Sequence, residues 1–168
     1  MKNVLELLER TAARLPRQTA FADQQCSYDY QTVVNIAGSV GSALAANGDR
    51  NCPVAVLMER GAPCLVTLMG VLYSGNFYVV LDPEMPAERV NKILRTLQPT
   101  ALICDEAHKD DPAGLDYDGK VYSAEALAAG QAQPELLQTV RRRMIDTDPA
   151  YAIFTSGSTG NPKGVVVN

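Results

Sequence analysis

The chemistry of this 168-residue chain concentrates in residues 151–165, YAIFTSGSTGNPKGV. An apolar stretch, residues 151–154, runs into a loop of Thr155, Ser156, Gly157, Ser158, Thr159, Gly160, Asn161, Pro162, Lys163 and Gly164. Small residues let a backbone approach a ligand closely, and glycines permit the positive φ that turns N–H groups inward. Four hydroxyls add donors, and Lys163 adds a mobile positive charge. These are the components of a polyphosphate cradle. Gly157 and Lys163 have the spacing of the Walker A loop, G-x-x-x-x-G-K-[ST]. However, Pro162 stands where that loop has glycine, Gly164 where it has a hydroxyl, and valines where its helix begins. A Walker P-loop is therefore excluded. The bland alternative is an ordinary serine- and glycine-rich hairpin turn.

The segments that must hold this loop alternate between helical and strand periodicity. Val4, Leu8, Thr11, Ala12 and Leu15 share one helical face, with Asn3 and Glu6 as a capping box and Pro16 as the stop. A second helix is predicted over 29–46, capped by Ser27 and ended by Asn47-Gly48. Residues 53–58 (PVAVLM) read as a buried strand, 62–74 as a helix ended by Gly75, and 77–81 (FYVVL) as the next strand. Pro86 sits at a first helical position ahead of Val90, Ile93, Leu94 and Leu97. Pro99 closes that helix, and 101–104 (ALIC) is a third strand. Residues 105–118 read as a polar surface loop holding His108, the one histidine of the chain. A short strand near Val121, a small helix over 124–129, a segment over 134–143 and a strand over 165–167 complete the pattern. Strand–helix–strand repetition with apolar strands predicts an α/β fold: a mostly parallel sheet flanked by helices on both faces. No second domain, repeat or low-complexity linker interrupts residues 1–168.

Composition narrows the function. At 46% hydrophobic and 20% charged residues the chain can build a core, and a net charge of −4 argues against a dedicated nucleic-acid binder. No apolar run approaches membrane-spanning length. Cys26, Cys52, Cys64 and Cys104 are scattered without a C-x-x-C pair, which predicts buried reduced thiols in a cytoplasmic protein and no metal ligand set. Arg141, Arg142 and Arg143 most simply complement a helix C-terminus, the alternative being contact with a partner protein. Asp82 and Asp105 fall at strand ends with no identifiable acid–base partner.

The 155–164 loop closely resembles T-S-G-S-T-G-x-P-K-G, the signature of the adenylate-forming (AMP-dependent synthetase and ligase, AMP-binding) superfamily. Chance agreement at nine specified positions is on the order of 10⁻¹¹ per site. Residues 73–83 (YSGNFYVVLDP) resemble the adenylation-domain motif K-A-G-x-A-Y-V-P-L-D-P. They match it at Gly75, Tyr78, Val79, Leu81, Asp82 and Pro83, and depart at Tyr73, Ser74, Phe77 and Val80. Ser27-Tyr28-Asp29-Tyr30 resembles the T-Y-x-E-L element. Both upstream elements read as packing and capping devices.

The resemblance implies an N-terminal part of the large domain of such an enzyme, ending just after the phosphate loop. It is closest to amino-acid adenylation domains and D-alanine-activating ligases, with an acyl-CoA ligase as the alternative. In the family a carboxylate attacks the α-phosphate of ATP, and the acyl group then passes to CoA or to the phosphopantetheine of a carrier protein. By resemblance, Thr155, Ser156, Ser158 and Thr159 bind phosphate oxygens or order Mg²⁺, Gly157 and Gly160 expose N–H groups, and Lys163 pairs with the phosphates. The acyl pocket, the ribose-binding aspartate and the catalytic lysine of the family fall after the signature loop. The 168 residues are therefore expected to hold no catalytic residue and to be inactive alone. The remaining alternative is an inert nucleotide-binding or interaction module. Strand 165–167 is expected to leave an apolar edge through which copies self-associate.

Overall fold

The computed structural model describes residues 3–156 and 162–168, with only the backbone of Ser156. Helix α1 (Val4–Arg14) starts where the Asn3 side chain accepts the Leu5 N–H at 3.1 Å. Strands β1 (Thr19–Ala22) and β2 (Ser27–Asp29) then form a small antiparallel hairpin that the sequence periodicity does not reveal. Because Ser27 belongs to β2, the cap of α2 (Tyr30–Ala45) is Asp29 instead, accepting the Thr32 N–H at 2.8 Å.

The main sheet comprises β3 (Pro53–Leu57), β4 (Phe77–Leu81), β5 (Ala101–Cys104), β6 (Lys120–Ser123), β7 (Tyr151–Ser156) and β8 (Pro162–Val167). Their order is β6-β5-β3-β4-β7-β8, parallel throughout except for the antiparallel β7–β8 pair. The expected α/β class with a mostly parallel sheet is thus observed. Helix α3 (Ala62–Tyr73) connects β3 to β4, and α4 (Ala87–Leu97) carries the chain from β4 across β3 to β5. Pro86 precedes α4 as its cap rather than opening it. The 105–118 stretch contains two short 3-10 turns, Glu106–His108 and Asp111–Gly114. Helices α5 (Ala124–Ala128) and α6 (Pro134–Arg143) follow β6.

Alternation along the strands divides the core between two faces. Val54, Val56, Ala101 and Ile103 pack with α2, α3 and α5, whereas Ala55, Leu57, Leu102 and Cys104 pack with α4. Helices therefore cover both faces, as expected. Arg141, at the end of α6, also ties that helix to α1: it donates to Glu9 at 2.7 Å and Asn3 Oδ1 at 2.6 Å, above the Tyr73 ring. Cys64 and Cys104 are buried, which pushes their thiols up to about 11 and about 12. Cys26 and Cys52, expected to be buried, are only partly so, because they lie in the β1–β2 turn and in the lead into β3. None of the four forms a disulfide. No described helix is long and apolar enough to cross a membrane.

Two tertiary contacts fix α3. Its N-cap, Gly61, has no side chain to offer, and Asp23 from the β1–β2 turn accepts the Ala62 N–H at 2.7 Å. The same carboxylate accepts the Gln25 and Cys26 N–H groups at 2.8 Å each, and these three bonds hold Asp23 down at about 2. A Cβ at position 61 would lie 2.7 Å from Asp23 Oδ2, so glycine makes room for the cap. Against α2, a Cβ on Gly70 would stand 2.5 Å from Val40 Cβ and Cγ1, and one on Gly41 would stand 2.4 Å from Tyr73 Cβ. The helix backbones approach more closely than alanine permits. Gly70→Ala is expected to cost about 1–3 kcal/mol through overpacking, measured as a lowered urea midpoint with an unchanged slope.

Candidate functional site

The hydroxyl-rich loop leaves β7 at its carboxyl end, the side of an open parallel sheet where ligand-binding loops gather. Next to it, the loop after β3 turns to the α3 face and the loop after β4 to the α4 face. Thr155 and Lys163 are directly opposite each other in the β7–β8 register, and both are exposed. Backbone pairing continues one step further, to Ser156 and Pro162. Gly157, Ser158, Thr159 and Gly160 lie outside the described residues. Of the predicted site residues, the structure therefore brings Thr155 and Lys163 together at the mouth of the hairpin and sets the Ser156 backbone beside them.

Two aromatic contacts on opposite faces hold this hairpin. At its base Tyr151 stacks on Tyr78, ring centroids 5.7 Å apart and planes at 16°. Nearer the tip, Phe154 packs against the cluster built on Val90, Ile93 and Leu94 of α4. Its partner across the hairpin is Gly164, where a Cβ would come within 3.1–3.4 Å of three ring carbons. Glycine there lets the Phe154 ring lie across β8. Beyond Tyr78 and Tyr151 the strands β4 and β7 share no further register pair. A cavity of about 460 Å³ opens there, with Val80, Ile153 and Phe154 in its wall and Arg60 and Asp82 at its rim.

The strand-end aspartates do have partners, contrary to the sequence expectation. Asp82 forms an ion pair with Arg60, and its carboxyl lies below the usual range because of the Glu84 N–H and then that guanidinium. Asp105 meets His108 Nδ1 at 2.5 Å and accepts the Glu59 N–H at 2.8 Å. His108 is consequently half-buried and bound rather than freely solvated, and the Asp105 hydrogen bond raises its pKa. The missed partners differ in how visible they are. Asp105 and His108 are three residues apart, a spacing that one 3-10 turn closes; Arg60 and Asp82 meet only because β3 and β4 are neighbours. A second cavity, of about 380 Å³, has Asp23, Glu59, Asp105, Glu106 and Glu125 around it. Among the described residues no three His, Cys, Asp or Glu side chains converge to hold a metal.

The profile of the family described as AMP-binding enzyme matches residues 8–168. A plipastatin synthase of Bacillus subtilis is 29% identical over 168 residues, 99% of this chain and 4% of that protein. Pyochelin synthetase PchF of Pseudomonas aeruginosa is 36% identical over 154 residues, 91% of this chain and 8% of its own length. The chain thus spans less than a tenth of either relative. A crystal structure of the nonribosomal peptide synthetase FmoA3 with α-methyl-L-serine-AMP bound superposes with a TM-score of 0.78 at 25% identity. That match covers 96% of this chain and 18% of the synthetase.

His108 offers a clean test of the strand-end geometry, since its NMR signals need no assignment among other histidines. Its raised pKa means a stabilising contribution present below the unfolded value near 6.5. That contribution is lost as pH rises through the folded value. The imidazole should titrate above pH 6.5 in the chain and return toward 6.5 in Asp105→Asn.

Proposed function

Because this chain belongs to the AMP-binding enzyme family, we propose that it supplies the N-terminal, phosphate-binding part of an ATP-dependent ligase that activates an amino acid. In this reading residues 1–168 form one α/β unit of a longer cytoplasmic adenylation domain, closing just after the phosphate loop. The observation that carries it is the 155–164 loop, whose flanking strands set Thr155 against Lys163 at the carboxyl end of the sheet. The amino-acid adenylate bound by the similar synthetase FmoA3, α-methyl-L-serine-AMP, favours an amino acid over a fatty acid as the carboxylate.

In the reaction a carboxylate oxygen attacks the α-phosphorus of ATP. The acyl–phosphate bond forms, the bond to the β-phosphate's bridging oxygen breaks, and pyrophosphate departs with the negative charge. Preorganised donors at that charge lower the barrier. Here the Lys163 ammonium, the Thr155 hydroxyl and the hydroxyls and N–H groups of residues 156–160 would hold the leaving group. The donor set is hard oxygen, which fits Mg²⁺, and the ion would neutralise phosphate charge as it does in nucleotide sites generally. In the longer protein the acyl group would pass to the phosphopantetheine thiol of a carrier protein.

A Lys–phosphate pair is a charge-assisted hydrogen bond, so Lys163→Ala should weaken Mg·ATP or pyrophosphate binding about tenfold or more. Titration calorimetry on the 168-residue chain reads this directly; micromolar affinity that survives the substitution would overturn the assignment of the loop. A second expectation concerns β8, an edge strand exposing Val165 (54%) on one face and Val166 (60%) on the other. Such an edge invites self-association, so sedimentation should show concentration-dependent oligomers that Val166→Lys disperses. A clean monomer at all concentrations would sink this expectation.

A further inference from the structure

We propose that Tyr78 is a positioning residue for Thr155 and Lys163, acting through its ring stack on Tyr151. Four observations converge on it. The β7–β8 hairpin is continuous within itself, with six register pairs from Tyr151↔Val167 to Ser156↔Pro162. Its bond to the parallel sheet is not continuous: β4 and β7 share the single pair Tyr78↔Tyr151, beside a Tyr78 N–H to Ala150 carbonyl bond at 3.3 Å. Past that pair the two strands enclose the cavity of about 460 Å³ instead of a ladder. The stacked rings lie on the face of the sheet opposite Ala152 and Phe154, so on that face the stack is what ties the hairpin to β4.

The geometry makes the base contact sensitive. Thr155 stands four residues beyond Tyr151, about 13 Å along an extended strand. A tilt of about 10° at the base would carry Thr155 and its partner Lys163 through about 2 Å, far outside hydrogen-bond tolerance. A normal ladder between β4 and β7 would resist such a tilt with backbone bonds along its whole length; here the aromatic pair takes that part. Phe154 and the buried Ala152 cannot, because both press on the α4 face only and leave the hairpin free to tilt away from it. Tyr78 itself is not placed in contact with ATP or the reacting carboxylate. The inference rests on the proposed function for the identity of the ligand, but not for the mounting of the hairpin.

The test uses the 168-residue chain with Tyr78→Leu, which removes the stack, and Tyr78→Phe, which keeps it. Hydrogen exchange read by mass spectrometry compares peptides over 150–156 and 162–168 with those over 53–57 and 101–104. In Tyr78→Leu, protection of the hairpin should fall about threefold to tenfold while β3 and β5 keep theirs; Tyr78→Phe should match the parent chain. Mg·ATP affinity should fall with Tyr78→Leu and recover with Tyr78→Phe. Where Tyr78→Leu does not fold, Tyr151→Leu removes the same stack from the other side. Unchanged hairpin exchange, equal loss in all strands, or a Phe variant as impaired as Leu would overturn the proposal. So would parent-level Mg·ATP affinity in Tyr78→Leu. If the parent chain binds no Mg·ATP yet the exchange pattern appears, the functional reading fails and the positioning role stands.

Discussion

The close approach of α2 and α3 is the constraint on which the other positions depend. Gly41 and Gly70 remove the two Cβ atoms that would otherwise keep the helices apart, and Val40 and Tyr73 fill the space. Because α3 is also the crossover from β3 to β4, its distance from α2 fixes how those strands lie under the helical layer. Asp23 then fixes α3 along its own axis by capping it from a separate hairpin. With the helix pair set, the inward residues of β3 and β5 have one packing solution on this face. The opposite face is covered by α4, with Leu115 and Tyr117 of the 105–118 stretch beside it.

The electrostatics of the carboxyl ends follow from this frame. Several carboxylates gather where β3 and β5 finish, and the chain as a whole carries −4. A polyphosphate approaching the sheet would be repelled there, so under the proposed function its charge would have to be met locally by Lys163 and by hydroxyl and N–H donors. The ion pair of Arg60 with Asp82 contributes little stability, since the arginine side chain is largely exposed. Its effect is positional: it bridges the loops that leave β3 and β4 toward opposite faces. Asp105 does comparable work at the end of β5, where one carboxylate orders both the Glu59 backbone and the His108 ring.

Much of this is legible in the sequence, for physical reasons. The strands PVAVL, FYVVL and ALIC are apolar on both faces, which only a covered parallel sheet requires. The intervening helices carry their own punctuation in Gly75, Pro86 and Pro99. The β1–β2 hairpin is invisible because its strands, TAFA and SYD, are only four and three residues long and half-exposed, too short for an alternation to show. The cap of α2 lies two residues from its expected place for the same reason, since an unrecognised strand claims Ser27. Thr155 and Lys163 are marked by local wording. Tyr78 and Gly164 fall inside matched motifs, yet their contacts are not legible there, and Arg60 is not marked at all, because what they touch depends on which strands become neighbours, and β3 borders β4 and β5 only after α4 has crossed over it.

That crossover also imposes an order of assembly. During synthesis β3 and β4 emerge first and can pair through α3. The third central strand, β5, must then return past β3 to reach the free edge of an existing pair. Only afterwards does β7 meet the far edge of β4, almost fifty residues downstream of β5. Pairings this distant in sequence form slowly, because loop closure is unfavourable until the contacts exist. A nascent chain released before β7 docks would present β4 with one side unbonded and its apolar residues in water. The ribosome's vectorial delivery and an early, well-packed α2–α3 layer are thus complementary defences against premature edge pairing, and β7 is the last strand of the parallel ladder to need them.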